Sequence, residues 1–543
     1  MNDFFHKNFK IKKNYYIFFL IFAFYFINNL DYIRSGLAIG DDWAYLYSLE
    51  LENFTQKIKR FLTYEYNTRP IGGIYLGLIS LYGKNNVLYV LQNLILWSIS
   101  ILIISLKLKK EFNEKTAYIF LLIALFPSIC STIIFSSIVQ SLGVLSIFFW
   151  SLSIKFDKLK FLSIIFITMA GLTYETALIL TPINFYLWIK NKKINIFLFI
   201  QYAFYFFLLF LTILLIQQLL AKFNNHYSTL KYFFQIKNGF IAIEEDFFDN
   251  IQKYFFKPFV LIIFEIPFLL IKTIKFYTID FKNVFLFFVF LFINIFIFFK
   301  NKKNLVYKNN LIFFFYISIG ILFNFFLYLI ATSVPQINGY YNRGLVSLFI
   351  LLSLFLSYFS YLKIKNNMRL TLNIFLITII LLNFSSFNIQ KNTFIKNNLE
   401  QKKILNSFLE LSYKKINPNE NSTILAIVPT YNNINYNDEL IFSEEMADIE
   451  FFFKLKYSKN VNVIRIYYDN ICQNILNLNQ NNLIANQPPR SRKKTKFTNE
   501  VIIENIKNKN IYVYIFNKDF FRVSQNNDDN LKKLSDNTKC SIY

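Results

Sequence analysis

Val87–Lys110 reads VLYVLQNLILWSISILIISLKLKK, an apolar run that closes on Lys107, Lys109 and Lys110. About 20 apolar residues rise roughly 30 Å as a helix, the thickness of a hydrocarbon core. The lysines at one end mark the side that stays in the cytoplasm. Blocks of this kind recur along the chain. Of 543 residues, 55% are hydrophobic, 20% aromatic and only 17% charged, against about 25% charged in a soluble domain. A soluble enzyme is excluded, and so is a protein with a single anchor.

The net charge of +25 would suggest nucleic acid in a soluble protein. Here the basic residues sit in short runs between apolar blocks, which is the positive-inside pattern and speaks against a nucleic-acid partner. Three cysteines (Cys130, Cys472, Cys540) make no disulfide framework, and two histidines make no zinc cluster.

Read outward from 87–110, the topology begins with a basic cytoplasmic N-terminus over 1–13 and a first span at 15–30 that lacks a signal-peptidase site. Residues 31–70 then lie outside. The glycine-broken segment 71–82 is an interfacial helix. Helix pairs follow at 116–128 with 133–153 and at 161–172 with 175–189, and a span at 194–220. An outer loop carries Glu244, Glu245, Asp246 and Asp249, and a re-entrant segment is expected at 259–274. Spans at 281–299, 311–331, 344–361 and 371–386 bring the count to about eleven. An odd count places residues 390–543 outside as a small α/β domain, with helices near 396–412 and 438–456 and strands at 423–428, 461–468 and 511–516. The run 488–496, PPRSRKKTK, reads as a solvated loop. The fold class is therefore an α-helical polytopic membrane domain, 1–389, followed by an extracytoplasmic domain, 390–543.

Chemistry is expected on the outer face, because charge inside the spans is scarce and no paired broken helices mark a transporter. Asp41-Asp42 in Gly40-Asp41-Asp42-Trp43 follows the first span by about ten residues. Two adjacent carboxylates beside an apolar surface repel each other, which raises one pKa and suits a general base. The plainer alternative is a helix cap. Arginine is used sparingly, at nine positions against 49 lysines. Three of the nine, Arg34, Arg69 and Arg343, fall in outer loops, where a guanidinium fork suits phosphate oxygens. Lipid contact or a salt bridge is the competing explanation. Glu175 stands in an outer turn, suited either to orient an acceptor hydroxyl or to pair with an arginine. Tyr340 and Tyr341 are candidates to stack on a sugar.

These features resemble the GT-C class of polytopic glycosyltransferases that use lipid-linked sugars. The arrangement Asp41-Asp42-Trp43 followed by Arg69-Pro70 is similar to the bacterial glucosyltransferases that modify O-antigen, and Leu172–Pro182 (LTYETALILTP) resembles the glutamate-bearing turn of many GT-C proteins. The resemblance implies a polyprenyl-phosphate donor carrying a hexose such as glucose, and an envelope glycan or lipid acceptor, such as lipopolysaccharide, at the bacterial inner membrane. It assigns the base to Asp41 or Asp42, with Glu175 beside it, and the donor site to Arg69 and Arg343 with Arg34, Trp43, Tyr340 and Tyr341. It implies no resident cofactor; a divalent ion bridging Asp41 and Asp42 is the variant. An O-antigen polymerase or ligase, and a non-enzymatic transporter or scaffold of lipid-linked glycans, are the rival readings.

Overall fold

The computed structural model describes residues 15–36, 42, 45–47, 53–60, 69–83, 85–135, 138–190, 204, 212, 215, 247–252, 256–257, 260, 281–300, 311–330, 344–361, 366–417, 421–428, 447–457, 461–467, 477–479, 482–487, 499–503, 510–515 and 519–523. Two compact units result: Met1–Gly36 with Phe54–Asn392, and Leu37–Asn53 with Thr393–Tyr543. The spans expected at 194–220 and 259–274, apart from the few described positions within them, and the run 488–496 lie outside the described residues.

Most of the described chain is helical. In the first unit the helices are α1 (Tyr15–Asn28), α2 (Pro70–Ile79), α3 (Asn86–Glu111), α4 (Glu114–Ala124), α5 (Ser141–Lys155), α6 (Lys160–Thr173), α7 (Thr181–Ile189), α8 (Phe281–Lys300), α9 (Leu311–Ile330), α10 (Val346–Phe359) and the start of α11 (Asn366–Lys415). Among the described residues, α3 and the stretch Met368–Lys415 of α11 are long enough, and contain an apolar enough segment, to cross a membrane. Shorter apolar helices, such as Ser141–Lys155 and Lys160–Thr173, accompany them. The sequence places a span at 371–386 and a separate helix at 396–412, whereas α11 runs through both without interruption. The reason is local: no Gly or Pro occurs between Asn366 and Lys415, and the chain first meets a proline at Pro418. A helix of 50 residues is about 75 Å long, so a membrane would cover less than half of it.

The segment after α4 is broken, and the break organises the first unit. Pro127 cannot donate a backbone hydrogen bond, so α4 stops and the chain continues as short turns at Ser128–Cys130 and Thr132–Phe135. At such a break in an apolar setting the backbone polar groups must still be satisfied. Phe126 N donates to Ile123 O at 3.2 Å and Ser128 N to Phe126 O at 2.8 Å, and further donors reach the carbonyls of the segment. Side chains from distant helices meet them. Trp97 Nε1 donates to Ala124 O at 3.0 Å, and Asn383 Nδ2 donates to Ile123 O at 3.0 Å and Phe126 O at 2.8 Å. Asn93 Nδ2 donates to Ile133 O at 2.8 Å, and Tyr32 OH to Ile134 O at 2.8 Å. The Ser128 hydroxyl donates back to Asn383 Oδ1 at 2.6 Å, which occupies the other end of that amide. Around these bonds pack the rings of Phe24, Phe126, Phe290 and Phe384, with Phe126 to Phe384 at 4.9 Å edge-on and Phe290 to Phe384 stacked at 4.3 Å.

In the second unit, strands β1 (Ser422–Val428), β2 (Val461–Tyr467), β3 (Asn477–Asn479), β4 (Asn482–Gln487), β5 (Asn499–Ile503), β6 (Asn510–Ile515) and β7 (Asp519–Val523) form two sheets. The larger has the order β2-β1-β6-β7, and β3-β4-β5 make the smaller. β1 is parallel to both neighbours, with Ser422 opposite Val461 and Asn510, and β7 closes the sheet antiparallel to β6. A parallel pair needs a crossover, and α12 (Ala447–Lys456) supplies it between β1 and β2. Within this unit the end of α11 packs on α12: Phe408 and Phe453 lie 4.9 Å apart, and Tyr413 OH donates to Lys456 O at 3.1 Å.

Replacing Asn383 by Leu keeps its bulk but removes its bonds to two carbonyls, which retain their backbone donors, and takes away the acceptor of the buried Ser128 hydroxyl. At about 1–3 kcal/mol for each buried unsatisfied group, the variant is expected to melt well below wild type in detergent. The exposed change Lys158→Gln should leave Tm within error. An unchanged Tm for Asn383→Leu would show that the break is held by something else.

Candidate functional site

The sequence draws attention to Arg69 and Glu175, which are 106 positions apart, and the fold brings them together. Arg69 precedes Pro70, whose fixed φ suits the first turn of α2. Glu175 follows α6, at the start of a 3-10 turn over Glu175–Leu180, and α7 begins afresh with Pro182 in its first turn. Arg69 Nε donates to both carboxylate oxygens of Glu175 at 3.1 Å, and Nη2 lies 3.0 Å from Oε2. The guanidinium also rests over the ring of Tyr174, 4.6 Å from its centroid. Of the two roles open to Glu175, this geometry is the arginine pair.

Gly72 makes the approach feasible. A Cβ there would stand 3.1 Å from the Leu142 methyls and 3.4 Å from the carbonyl of Thr173, the residue just before Tyr174. Without a side chain at Gly72, α2 can lie close against the end of α6 and deliver Arg69 to the turn.

The chain a few residues after Arg343 reaches the same turn through the Ser347 side chain. Arg343, Tyr340 and Tyr341 lie outside the described residues, but the chain resumes at Gly344. Ser347 Oγ donates to the carbonyl of Thr176 at 2.6 Å, and Tyr328 OH donates to the carbonyl of Gly344 at 3.3 Å. A Cβ on Gly320 of α9 would meet Leu351 at 3.0 Å and the carbonyl of Ile179 at 3.3 Å, so α9 and α10 both press on the Glu175–Leu180 turn. The Thr176 hydroxyl is buried with no hydrogen-bond partner among the described residues. Arg69 and Glu175 keep 26% and 21% of their side-chain surface, enough for a ligand to reach them. Tyr174 and Thr176 lie in the quoted run Leu172–Pro182, but nothing in the sequence pattern marks Thr176, Tyr328 or Ser347 as site residues. Their types are common in this chain, and only the fold distinguishes them.

Asp41 and Trp43 lie outside the described residues. Asp42 is fully buried, is itself helical, and belongs to the second unit, whereas Arg69 and Glu175 belong to the first. Arg34 is exposed in the last turn of the short helix Leu30–Ser35, where the helix dipole favours a cation without any bound anion. Among the described residues no group of three or more His, Cys, Asp or Glu side chains is placed to hold a metal ion.

No protein-family model, no curated protein and no solved structure matches the chain.

Two variants test the assembly of this turn. Gly72→Val adds bulk against Leu142 and the Thr173 carbonyl and is expected to cost about 1–3 kcal/mol by overpacking. Glu175→Gln removes a partly exposed ion pair, for which about 1 kcal/mol or less is expected. Thermal melts of both in one detergent should therefore rank Gly72→Val as the more damaging. The reverse order would mean that the ion pair, and not the close packing, holds α2 in place.

Proposed function

We propose that the protein is a polytopic membrane glycosyltransferase of the GT-C kind, with about eleven spans and an extracytoplasmic α/β domain at its C-terminus. It moves a sugar, a hexose such as glucose, from a polyprenyl-phosphate donor to an envelope glycan or lipid acceptor outside the bacterial inner membrane. The observation that carries this reading is the convergence on one turn of Arg69, Glu175 and the side chain of Ser347, four residues beyond Arg343.

A guanidinium held along one edge by a carboxylate and stacked on a tyrosine ring has already lost most of its freedom. It therefore gives up little entropy when it takes a phosphate oxygen. Arg69 is assigned to the donor phosphate and Arg343 to the same group, by analogy of residue type and by the placement of its neighbour Gly344. Glu175 positions Arg69. Thr176, with a buried hydroxyl in need of a partner, is the polar group best suited to a sugar or phosphate oxygen. Asp41 or Asp42 is assigned, from the sequence, as the base that takes the proton of the acceptor hydroxyl. That oxygen attacks the anomeric carbon, the bond to the polyprenyl phosphate breaks, and the configuration inverts. The phosphate leaves as an anion that the arginines stabilise.

The test is release of polyprenyl phosphate by the purified protein from a panel of polyprenyl-phosphate sugars, with envelope glycan as acceptor. Wild type should turn over, whereas Asp41→Asn or Asp42→Asn should lose about 100-fold or more as expected for loss of a general base. Arg69→Lys should act mainly on the donor side by removing the fork. Turnover indifferent to both aspartates, or absent with every donor, would overturn the mechanism.

Topology has an independent check. Cys472 and Cys540 lie in the C-terminal part of the chain, and the remaining cysteine, Cys130, is buried. After mild reduction, a membrane-impermeant maleimide added to intact spheroplasts should label the protein, and Cys472→Ser with Cys540→Ser should abolish the signal. Labelling only after lysis would place the tail in the cytoplasm.

A further inference from the structure

The basic ends of the helices in the first unit carry a consistent pattern, and one lysine departs from it. Lys107 is bound to Glu111 at 3.1 Å and to Asp157 at 2.7 Å, Lys109 to Glu114 at 2.8 Å, and Lys190 to Glu111. Each of these ammonium groups has a carboxylate. Lys115, the second residue of α4, is only 4% exposed, more deeply buried than any of them, and has none. Its Nζ donates to the neutral amide oxygen Asn373 Oδ1 at 2.8 Å and lies 4.9 Å from the centroid of the Phe298 ring. The nearest carboxylate in sequence, Glu114, is occupied by Lys109 and by the Tyr118 hydroxyl at 3.1 Å.

A second cation makes the arrangement more costly. Arg369 stands one turn before Asn373 on α11 and acts on Lys115 with like charge. Lys115 is in the first turn of α4 and Arg369 in the first turn of α11, the positive ends of both helix dipoles, where acidic groups and anions are favoured and cations are not. A buried ammonium needs an opposite charge or several acceptors. Among the described residues Asn373 Oδ1 is the ammonium's single hydrogen-bond acceptor. A tetrahedral oxyanion, which offers several acceptor oxygens at once, is the chemistry that suits the Lys115 ammonium with the Asn373 amide and the Arg369 guanidinium.

We propose that Lys115, Arg369 and Asn373 form a phosphate-binding site, separate from the turn around Glu175 and filled either by the headgroup phosphate of an anionic phospholipid or by free phosphate. The site does not depend on the transferase reading. Bound phosphate would balance the buried charge and join α4 to α11 at the point where Phe298 of α8 also meets them.

The experiment uses the full-length protein in two arms. In one, the protein is reconstituted with equal phosphatidylglycerol and phosphatidylcholine, then weighed by native mass spectrometry after gentle release. In the other, inorganic phosphate is titrated into lipid-depleted protein in detergent while Tm is followed. Retained phosphatidylglycerol that is weakened about tenfold or more by Lys115→Gln and by Arg369→Gln, and is unaffected by Lys158→Gln, would identify a lipid phosphate. A Tm raised by inorganic phosphate, lost in the same two variants and with no preference between the lipids, would identify a soluble one. Lys115→Met keeps the length and apolar contacts of the stem, so it substitutes for Lys115→Gln if that protein does not fold. Wild type that prefers neither lipid and ignores phosphate overturns the proposal, as does binding that all the variants retain.

Discussion

The rest of the first unit depends on how the chain satisfies a helix that stops in an apolar environment. Pro127 ends α4, and the carbonyls of Ile123, Ala124, Phe126, Ile133 and Ile134 around the break all accept side-chain hydrogen bonds, those of Ile123 and Phe126 in addition to the backbone N–H groups of Phe126 and Ser128. The donors come from Tyr32, Asn93, Trp97 and Asn383, so one discontinuity ties the chain after α1 to α3 and to α11. Hydrophobic burial cannot supply this specificity, because one apolar helix packs on another in many rotations of similar energy. An amide that must meet two named carbonyls selects a single rotation.

The same logic recurs at the Glu175 turn, at a different scale. There the turn is pinned by packing against α9 and α10, through Gly320 and Ser347, and only then does the Arg69–Glu175 pair form across it. A partly exposed ion pair contributes too little to hold two helices. The close approach at Gly72 is the stronger constraint, and the ion pair is its consequence. Such an order suits a binding site: the rigid frame is apolar, and the polar groups at its edge remain accessible enough to exchange one partner for another.

The sequence makes the helices easy to find and their partners hard to find. Apolar blocks bounded by lysines give α3 to within a few residues, and Gly-Leu-Thr-Tyr-Glu marks the end of α6 because the chain turns polar there. The strand runs near 423, 461 and 511 stand out by their branched residues, and β1, β2 and β6 occupy them. The continuity of α11 is obscured because its composition changes near residue 388 from apolar to Asn- and Lys-rich, which reads as a boundary although nothing in the backbone breaks there. The role of Asn383 is not visible at all: an asparagine in an apolar block looks like a blemish until its carbonyls, 257 and 260 positions away, are known. At the site, Glu175 and Arg69 could be named from residue type and position, yet the choice between orienting an acceptor hydroxyl and pairing with an arginine depended on a contact across 106 positions. Asp42 could be named as well, but its burial and its place in the second unit follow from long-range packing that local pattern does not encode.

Charge is distributed in this chain with an economy that separates stability from chemistry. Lys107, Asp157, Glu111 and Lys190 form one linked set joining the ends of α3 and α7 to the turn after α5. Their side chains are only 8–17% exposed, so both signs must be present for either to be tolerated. Such closed sets brace the helix ends and have no spare charge for a ligand. Glu175 and Arg69 also neutralise each other, but at the surface, where a phosphate can compete for the guanidinium without leaving a buried charge behind. Lys115 is the opposite case, because it is buried beside Arg369 and bound to a neutral acceptor. Where the lysines at the helix ends are paired with carboxylates, one buried beside a second cation and without a carboxylate among the described residues points to a counter-ion supplied from outside the chain.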